Sequence, residues 1–227
     1  MTLRFCCLRD SPDEVPGDQF IFDGPAIEAY LDCCAAVILT DGDEQRAATL
    51  LEAGATLVLL GEVALRDSEV VSRLAARFGS ARIGLQVPVR RLAVDWSFET
   101  VSNADFKVVT PSLCAPTWEV LFADGSGSGT HAEWWIGQMQ ERGAQCVLLR
   151  ADIDSDDDLN LCAGLQESLG DRLWVAPLTL REPAIDAWVE FGQVRQLALP
   201  PELFARRDSW QAQSPAAEAS VADKEVA

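Results

Sequence analysis

One phrase of nine residues occurs twice in this chain, and it constrains the fold more than any other feature. Residues 52–60 read EAGATLVLL, and residues 141–149 read ERGAQCVLL. We interpret each copy as the end of an amphipathic helix, a glycine just beyond it, and a short apolar strand. Glycine suits this position because it adopts left-handed backbone angles at little cost. A strand that is apolar on both faces is typical of a parallel sheet covered by helices. A fainter third copy lies at residues 190–199.

Repetition of a helix–glycine–strand unit is typical of an α/β barrel or of a layered α/β sheet. The pattern indicates about seven such units, and a full eight-stranded barrel needs one more. We therefore predict a single α/β domain over residues 1–213, a (β/α)8 TIM-type barrel that is shortened or irregular in its first quarter. The missing helix–strand unit would fall within residues 10–40. There the stretch 10–24, which contains prolines and glycines, is predicted to be a long loop.

Two segments depart from the repeat. Residues 90–123, which follow the predicted fifth strand, show little helical periodicity and contain several residues that favour β-structure. We predict a β-rich insertion there. Residues 214–227 are rich in alanine, serine and acidic residues and have no apolar stripe, so we predict a disordered acidic C-terminal tail.

The composition argues against several functional classes. The formal net charge is −18 and lysine and arginine do not cluster, which argues against binding to nucleic acid. Because no run of about 18 apolar residues and no signal-peptide pattern is present, we expect a cytoplasmic protein without a membrane span. The seven cysteines then read as reduced thiols. With no C-x-x-C motif and a single histidine, His131, we expect no metal site, and we expect no cofactor.

Four stretches of the chain carry a family resemblance: LLEAGATLVLLG (50–61), AARFGS (75–80), WEVLFADG (118–125) and WWIGQMQERGAQCVLL (134–149). Their order and spacing resemble the cyclase subunit of imidazole glycerol phosphate synthase, a member of the histidine-biosynthesis (β/α)8 barrel family. The segment from Trp118 to Glu141 points to the cyclase rather than to its sister isomerase. The likeness extends over most of residues 43–199 and consists mainly of structural residues.

The resemblance implies a pair of catalytic aspartates, at the C-terminal ends of strands one and five. Such a pair acts as general acid and base on an imidazole-forming intermediate. Counting without gaps from Arg4, which aligns with a family arginine, places Asp10 at the first position. Matching the pair at residues 7–8 to a family Cys-Leu pair places Arg9 there instead. We take Asp10 as the candidate catalytic residue, and an ordinary loop aspartate is the alternative.

The second aspartate of the pair is replaced. Counting from residues 78–80 through the following strand places Pro88 where the resemblance implies the acid. Proline cannot transfer a proton, and losing one member of a general acid–base pair typically costs on the order of 10²–10⁴ in rate.

The resemblance also implies two phosphate sites on glycine-rich loops, where backbone N–H groups converge. The loop after the third strand, TDGD (40–43), has one glycine, Gly42, beside two carboxylates. Gly61, after the fourth strand, is the other weak candidate for a phosphate contact. The loops after the seventh strand (APLTL, 176–180) and the eighth (LPPE, 199–202) contain no glycine, and the second has two prolines. We therefore predict that phosphate binding is damaged.

The family's ammonia entrance, a ring of charges on the opposite face of the barrel, is also incomplete. Arg4 matches the family, but Leu57 and Cys146 stand where the resemblance implies a lysine and a glutamate. This difference argues against a glutaminase partner. An unknown protein partner is left open by the pair Trp134–Trp135, since one ring could be exposed as an anchor. We prefer the interpretation that the pair packs in the core.

Five aspartates follow the predicted sixth strand, on the side where barrels hold their active sites. They could bind a divalent metal or a cationic ligand, or they could favour a helix N-terminus through the helix dipole. We prefer the second interpretation because the spacing lacks the glycine of a calcium loop. The five are Asp152, Asp154, Asp156, Asp157 and Asp158.

These observations predict a degenerate, non-catalytic paralogue of the histidine-biosynthesis cyclase barrel that acts as a binding or scaffold protein. The alternative is an enzyme. It would be either a divergent cyclase subunit of imidazole glycerol phosphate synthase, a lyase, or another barrel-face enzyme that acts on a phosphorylated metabolite.

Overall fold

The fold is given by a computed structural model, which describes residues 3–11, 18–92, 101–103, 106–108 and 116–211. The predicted tail, residues 214–227, lies outside the described residues. The strands are β1 (Arg4–Arg9), β2 (Gln19–Phe22), β3 (Ala36–Leu39), β4 (Val58–Leu60), β5 (Ile83–Arg91), β6 (Val101–Asn103), β7 (Phe106–Val108), β8 (Trp118–Leu121), β9 (Gly127–His131), β10 (Cys146–Arg150), β11 (Leu173–Ala176) and β12 (Gln196–Leu199).

The helices lie between these strands or follow the last of them, and none of those described is both long enough and apolar enough to cross a membrane. The α-helices are α1 (Glu44–Glu52), α2 (Glu62–Arg66), α3 (Glu69–Phe78), α4 (Ala132–Glu141), α5 (Asp156–Leu169), α6 (Ile185–Glu190), α7 (Pro201–Phe204) and α8 (Arg207–Gln211).

Eight of the strands pair side by side in parallel and close into a barrel. Their order around the ring is β1, β2, β3, β4, β5, β10, β11 and β12, and β12 pairs with β1 to close it. The prediction of a (β/α)8 TIM-type barrel is confirmed. Because all eight strands run in the same direction, their carboxyl ends meet around one mouth, where barrels of this architecture hold their sites.

The inside of the barrel is a packed apolar core. The rings of Phe20 and Trp174 meet there edge to face, with centroids 5.1 Å apart. A second and larger apolar layer lies between the strands and the helices. The buried residues that fill the interior are Cys6, Leu8, Phe20, Ala36, Ile38, Leu59, Leu148, Trp174, Ala176 and Ala198.

The interpretation of residues 10–24 as a long loop is wrong, because β2 lies within it. This strand pairs with β1 on one side and β3 on the other, and it supplies the eighth strand that the sequence pattern lacked. Its four residues, QFIF, are too few to show a periodicity, and the surrounding prolines and glycines dominate the local pattern. The first quarter is irregular in its helices instead, since the connection from β2 to β3 contains a 3-10 helix, Ile27–Cys33.

The predicted β-rich insertion after the fifth strand is confirmed. β5 pairs with β10 of the barrel as far as Pro88, then leaves the ring and pairs with β8 in the antiparallel direction from Val89 onwards. β8 pairs in turn with β9, and β6 and β7 form a separate two-stranded sheet. Proline is tolerated at position 88 because β5 changes partners there. The N–H that proline lacks would lie at the end of the hydrogen-bonded ladder between β5 and β10.

The two repeated glycines have the backbone angles that the sequence predicts. Gly54 follows α1 with φ of 109°, and Gly143 follows α4 with φ of 113°. The faint third copy differs, because the positive φ there belongs to Gln193 (54°) rather than to Gly192. A Cβ on Gly54 would meet nothing within 4 Å, whereas one on Gly143 would lie 2.9 Å from the Cβ of Ala75. The two glycines therefore differ in how much space surrounds them.

We predict that Gly54→Ala lowers the free energy of unfolding by about 1 kcal/mol, the cost of a Cβ in left-handed backbone. Gly143→Ala should lower it by about 2 kcal/mol, because α3 must also move away from the new methyl group. Urea denaturation of the two variants and the unchanged protein measures the difference.

Matched controls for this prediction are Gly137 in α4 and Gly164 in α5, where a Cβ would meet nothing within 4 Å. Replacing either with alanine should raise the free energy of unfolding by about 0.5–1 kcal/mol. A Gly143→Ala variant as stable as the unchanged protein would contradict the helix–glycine–strand assignment.

Candidate functional site

A single arginine side chain crosses the mouth of the barrel. Arg150 is the last residue of β10 and lies in register with Pro88 of β5 and Ala176 of β11. Its guanidinium carbon lies 5.4 Å from the centroid of the Phe22 ring, on β2. β2 and β10 are four strands apart in the ring of eight. Strands four apart face each other, so the side chain of Arg150 spans the mouth from one wall to the other.

Arg150 is partly buried in the mouth. Its Nη2 donates to the carbonyl oxygen of Leu178 at 3.1 Å, while its buried Nε has no hydrogen-bond partner among the described residues. Burial lowers the pKa of the guanidinium, and the charges of Asp10 and Asp152 act in the opposite direction. Because arginine remains protonated in proteins, the mouth contains a fixed cation near two carboxylates.

The two positions that the resemblance assigns to the acid–base pair lie on opposite walls. Asp10 directly follows β1 and is exposed. Pro88 lies on β5, four strands away around the ring. General acid–base catalysis needs groups within hydrogen-bond reach of the same substrate. At these two positions the mouth offers one carboxylate, and Arg150 lies close enough to it to interact electrostatically.

The backbone donors of the loop after β11 are occupied by a carboxylate of the protein itself. Asp152, two residues beyond β10, accepts the N–H of Leu178 at 3.2 Å and that of Thr179 at 3.0 Å with the same oxygen, Oδ1. Two successive N–H groups directed at one oxygen form the kind of turn that binds anions such as phosphate. In this protein a side chain from the neighbouring loop fills that turn.

The backbone donors of the loop after β4 are also used internally. The N–H of Gly61 donates to the carbonyl oxygen of Leu39, and the N–H of Glu62 donates to that of Thr40, both at 2.8 Å. These bonds connect the end of β4 to the end of β3. Neither N–H is free to bind a phosphate group.

The insertion folds onto this same loop through Glu62. The Glu62 carboxylate accepts the N–H of Ala123 at 2.8 Å and pairs with Arg66 at 2.5 Å. The Ala123 hydrogen bond, followed by the Arg66 contact, holds the pKa of Glu62 below its usual range. The guanidinium of Arg66 also lies 4.9 Å from the ring centroid of Phe122. The Glu62 carboxylate therefore occupies the rim of this loop, where a phosphate site would need free N–H donors.

The remaining glycines and prolines of the mouth have structural roles. A Cβ on Gly42 would lie 2.3 Å from a methyl carbon of Leu39, and one on Gly61 would lie 2.4 Å from a backbone carbonyl oxygen. In the loop after β12, Pro200 precedes α7 and Pro201 opens it, and neither has an N–H to donate. Close packing thus accounts for both glycines that the sequence offered as phosphate contacts.

Four of the five aspartates after β10 contact other residues of the protein: Asp152, Asp154, Asp157 and Asp158. Asp158 is 6% exposed, accepts from the indole N–H of Trp118 at 3.1 Å and pairs with Arg91 at 2.9 Å. Asp154 pairs with Arg181 at 3.1 Å. Within the part of the chain that the structure describes, no group of His, Cys, Asp and Glu is arranged to hold a metal ion. Asp158 instead fastens the N-terminus of α5 to β5 and β8 of the insertion.

The opposite end of the barrel is largely apolar. The guanidinium of Arg4 lies 5.4 Å from the ring centroid of Trp174, while Leu57 and Cys146 pack against the interior core. Burial raises the pKa of the Cys146 thiol to about 12, so this group is uncharged at neutral pH. The positions where the resemblance implies a lysine and a glutamate are therefore neutral and partly buried.

Sequence reasoning missed two residues of the mouth, Arg150 and Gln86, and it considered Asp152 only as a cation ligand or as a charge near a helix N-terminus. One signal for Arg150 was available, because alternate residues of a strand share a face and Leu148 faces the interior. The alternation 146, 148, 150 therefore points Arg150 inwards. No local pattern shows that Asp152 accepts hydrogen bonds from the loop after β11, or that Gln86 is 2% exposed on β5.

Comparison with known proteins gives one family and several relatives. Residues 41–160, slightly more than half of the 227-residue chain, match the family described as histidine biosynthesis protein. Similar curated proteins named imidazole glycerol phosphate synthase subunit HisF come from Methanosphaerula palustris (35% identical over 102 residues), Bifidobacterium adolescentis (31% over 108) and Trichormus variabilis (30% over 126).

These alignments cover 44%, 48% and 53% of this chain, and 35%, 36% and 42% of the relatives. The chain thus spans less than half the length of the curated relatives that it matches. The matched family region extends from the loop after β3 into α5, so it includes β4, β5, the insertion and β10. With the closed barrel of eight parallel strands and this match, the chain belongs to the histidine biosynthesis protein family.

Proposed function

We propose that this protein is a non-catalytic relative of the imidazole glycerol phosphate synthase cyclase subunit and that it acts by binding. The observation that carries the proposal is the carboxylate of Asp152 on the N–H groups of Leu178 and Thr179. It occupies the backbone donors that a phosphorylated substrate would need at the loop after β11. A phosphate could bind there only by displacing it.

The loss of donors is large enough to matter for affinity. A hydrogen bond to a charged group contributes about 1.5–3 kcal/mol, and a tenfold change in affinity corresponds to about 1.4 kcal/mol. Losing several such contacts at both phosphate sites moves binding from micromolar to weaker than millimolar. A carboxylate beside a phosphate adds repulsion, since two like charges about 4 Å apart repel by about 4 kcal/mol at a dielectric constant near 20.

The acid–base chemistry supports the same proposal. Pro88 replaces the acid on β5, and Arg150 places a cation across the mouth. A substrate held between β1 and β5 would contact the Arg150 guanidinium, and position 88 would offer it no second group for proton transfer.

A binding role needs an accessible surface, and α4 offers one. Trp134 is 64% exposed, whereas Trp135 is 4% exposed and packs in the core, so the interpretation that both rings pack in the core is wrong. Exposed tryptophans are frequent anchors of protein interfaces. We place the contact with a protein partner on this face of α4. A glutaminase is not the proposed partner, because Leu57 and Cys146 leave the opposite end of the barrel without the implied charges.

We predict no detectable cyclase turnover by the purified protein with ammonia as the nitrogen donor. An ordinary enzyme has a median turnover of about 10 s⁻¹, and an intact cyclase of the family assayed in parallel is the positive control. Turnover within about 100-fold of that median would contradict the proposal and would favour the alternative, a divergent cyclase.

The variant Pro88→Asp should restore neither turnover nor binding, because an acid acts only on a substrate held within its reach. Calorimetric titration with the cyclase substrate should give a dissociation constant weaker than about 1 mM. Micromolar binding to this variant would show that the phosphate sites survive in another form.

The variant Asp152→Ala should lower the free energy of unfolding by about 1.5 kcal/mol, because two N–H groups lose a charged acceptor. Asp154→Ala is the matched control. It breaks only the exposed pair with Arg181, whose side chains are 62% and 76% exposed, and should cost less than about 0.5 kcal/mol. Equal effects of the two substitutions in urea denaturation would contradict the role given to Asp152.

A further inference from the structure

The outer face of α4 carries an exposed tryptophan and an exposed carboxylate, and no basic residue. Gly137, Gln138 and Glu141 lie three, four and seven positions beyond Trp134, on the side of the helix opposite its buried residues. Trp134 is 64% exposed, and Glu141 is exposed at the end of the helix. The other charged residue of α4, Glu133, is also acidic and exposed. This face therefore offers solvent an indole ring with negative charge near it.

The carboxylate of Glu141 stands where the helix itself disfavours it. The dipole of a helix places partial negative charge at its C-terminus, so a cation is favoured there and an anion is not. Glu141 is the last residue of α4, and the last turn contains no basic residue. Its carboxylate accepts a hydrogen bond from Nε2 of Gln138 at 3.4 Å and has no ion pair among the described residues. The following residue, Arg142, pairs with Glu69 of α3 instead.

The first copy of the repeated phrase shows how the chain treats the equivalent glutamate. Glu52 holds the place of Glu141 in that copy, and it too ends its helix, α1. There Arg77 of α3 pairs with the Glu52 carboxylate, and its guanidinium carbon lies 4.7 Å from the ring centroid of Phe78. One arginine thus contacts both a carboxylate and an aromatic ring. α4 presents a carboxylate and a ring of its own, and no arginine of the described residues covers either.

Arginine covers aromatic rings in many places in this protein. Among the described residues, six guanidinium carbons lie between 4.4 Å and 5.5 Å from the centroid of a Phe or Trp ring. A cation over the face of an indole is a favourable contact, and tryptophan is the aromatic residue that attracts cations best. Trp134 has no such cation within the part of the chain that the structure describes. A cation from outside the chain would complete this face.

Charge complementarity indicates what kind of partner brings that cation. The chain has 18 lysine and arginine residues against 36 aspartates and glutamates. In the neighbouring helix α3, Arg73 and Arg77 already pair with Glu44 and Glu52. A second copy of the chain would repel this one, because each has a net charge of −18. Nucleic acids and anionic membrane surfaces are negative as well. The occupant that remains is a basic protein segment.

We propose that the outer face of α4 docks a protein segment whose arginines contact Trp134 and Glu141. A helix rises about 1.5 Å per residue, so these two side chains leave the helix about 10 Å apart. One guanidinium can lie over the indole ring, while a second pairs with the carboxylate through two parallel hydrogen bonds. Gly137 lies between them without a side chain, which lets the partner approach closely. This inference rests on the proposed binding role and names the chemistry of the partner.

The probe is an alanine-based helical peptide of about 20 residues with two arginines seven positions apart. It is titrated into the full chain at about 20 mM salt, and the NMR resonances of the protein are followed. We expect saturable shifts of the indole N–H of Trp134 and of the Glu141 amide, with a dissociation constant below about 1 mM. Raising the salt to about 0.5 M should weaken binding at least fivefold, because salt screens exposed charges.

Control peptides carry glutamine or leucine in place of both arginines and should give no saturable shift at Trp134. The glutamine peptide keeps a polar side chain at each position without the charge. The leucine peptide tests whether the indole accepts any apolar side chain.

Matched variants separate this face from general attraction to an acidic protein. Trp134→Ala and Glu141→Gln should each weaken binding of the arginine peptide at least fivefold. Phe191→Ala is the control for the first, because Phe191 is also exposed (59%) but follows α6. Glu52→Gln is the control for the second, since it removes the same charge at the equivalent position of the repeated phrase. Both controls should bind as the unchanged protein does, and thermal unfolding shows whether each variant is folded.

Three results would overturn the inference. Equal affinity for the leucine peptide would show that this face takes an apolar partner, and the proposed binding role would stand. No saturable shift at Trp134 with the arginine peptide would show that the face does not bind arginine, whereas the lack of catalysis is tested separately by the turnover assay. Equal weakening by Glu52→Gln and Glu141→Gln would show that the peptide is attracted by the acidic protein as a whole.

Discussion

Closure of the parallel sheet into a ring is the constraint on which the rest of this structure depends. It brings eight strand ends together around one mouth, and the backbone N–H and C=O groups of the adjoining loops must find partners there. In a barrel that binds phosphates, the ligand supplies part of those partners. In this protein the chain supplies them: Asp152 for the loop after β11, and the carbonyls of Leu39 and Thr40 for the loop after β4.

The insertion follows from the same closure. β5 leaves the ring at Pro88 and pairs with β8, so the insertion is carried directly above the loops after β3 and β4. Two contacts fix it there: the Glu62 carboxylate holds the turn at Ala123, and the buried Asp158 holds β8 through Trp118. The insertion thereby covers the loop after β4, where the resemblance implies a phosphate contact.

Most of the fold could be predicted from the repeated helix–glycine–strand phrase. The two phrases around Gly54 and Gly143 predicted helix, left-handed glycine and strand correctly, because glycine punctuation and apolar runs are local signals. β2 was not predicted because its four residues, flanked by prolines and glycines, are too few to show the alternation of a strand. At the site, the sequence alone shows a proline, Pro88, where the resemblance implies an acid. The contacts of Asp152, Arg150 and Gln86 could not, since each depends on which loops the ring closure brings together.

The most direct test of this account observes the amides of Leu178 and Thr179 while the cyclase substrate is added to the unchanged protein. If Asp152 occupies these donors, their NMR resonances will not shift at substrate concentrations up to about 1 mM, the affinity limit expected after several lost contacts. Saturable shifts of both amides at micromolar substrate would contradict the account, because they would show that a phosphate group displaces the carboxylate and uses the loop as a binding site.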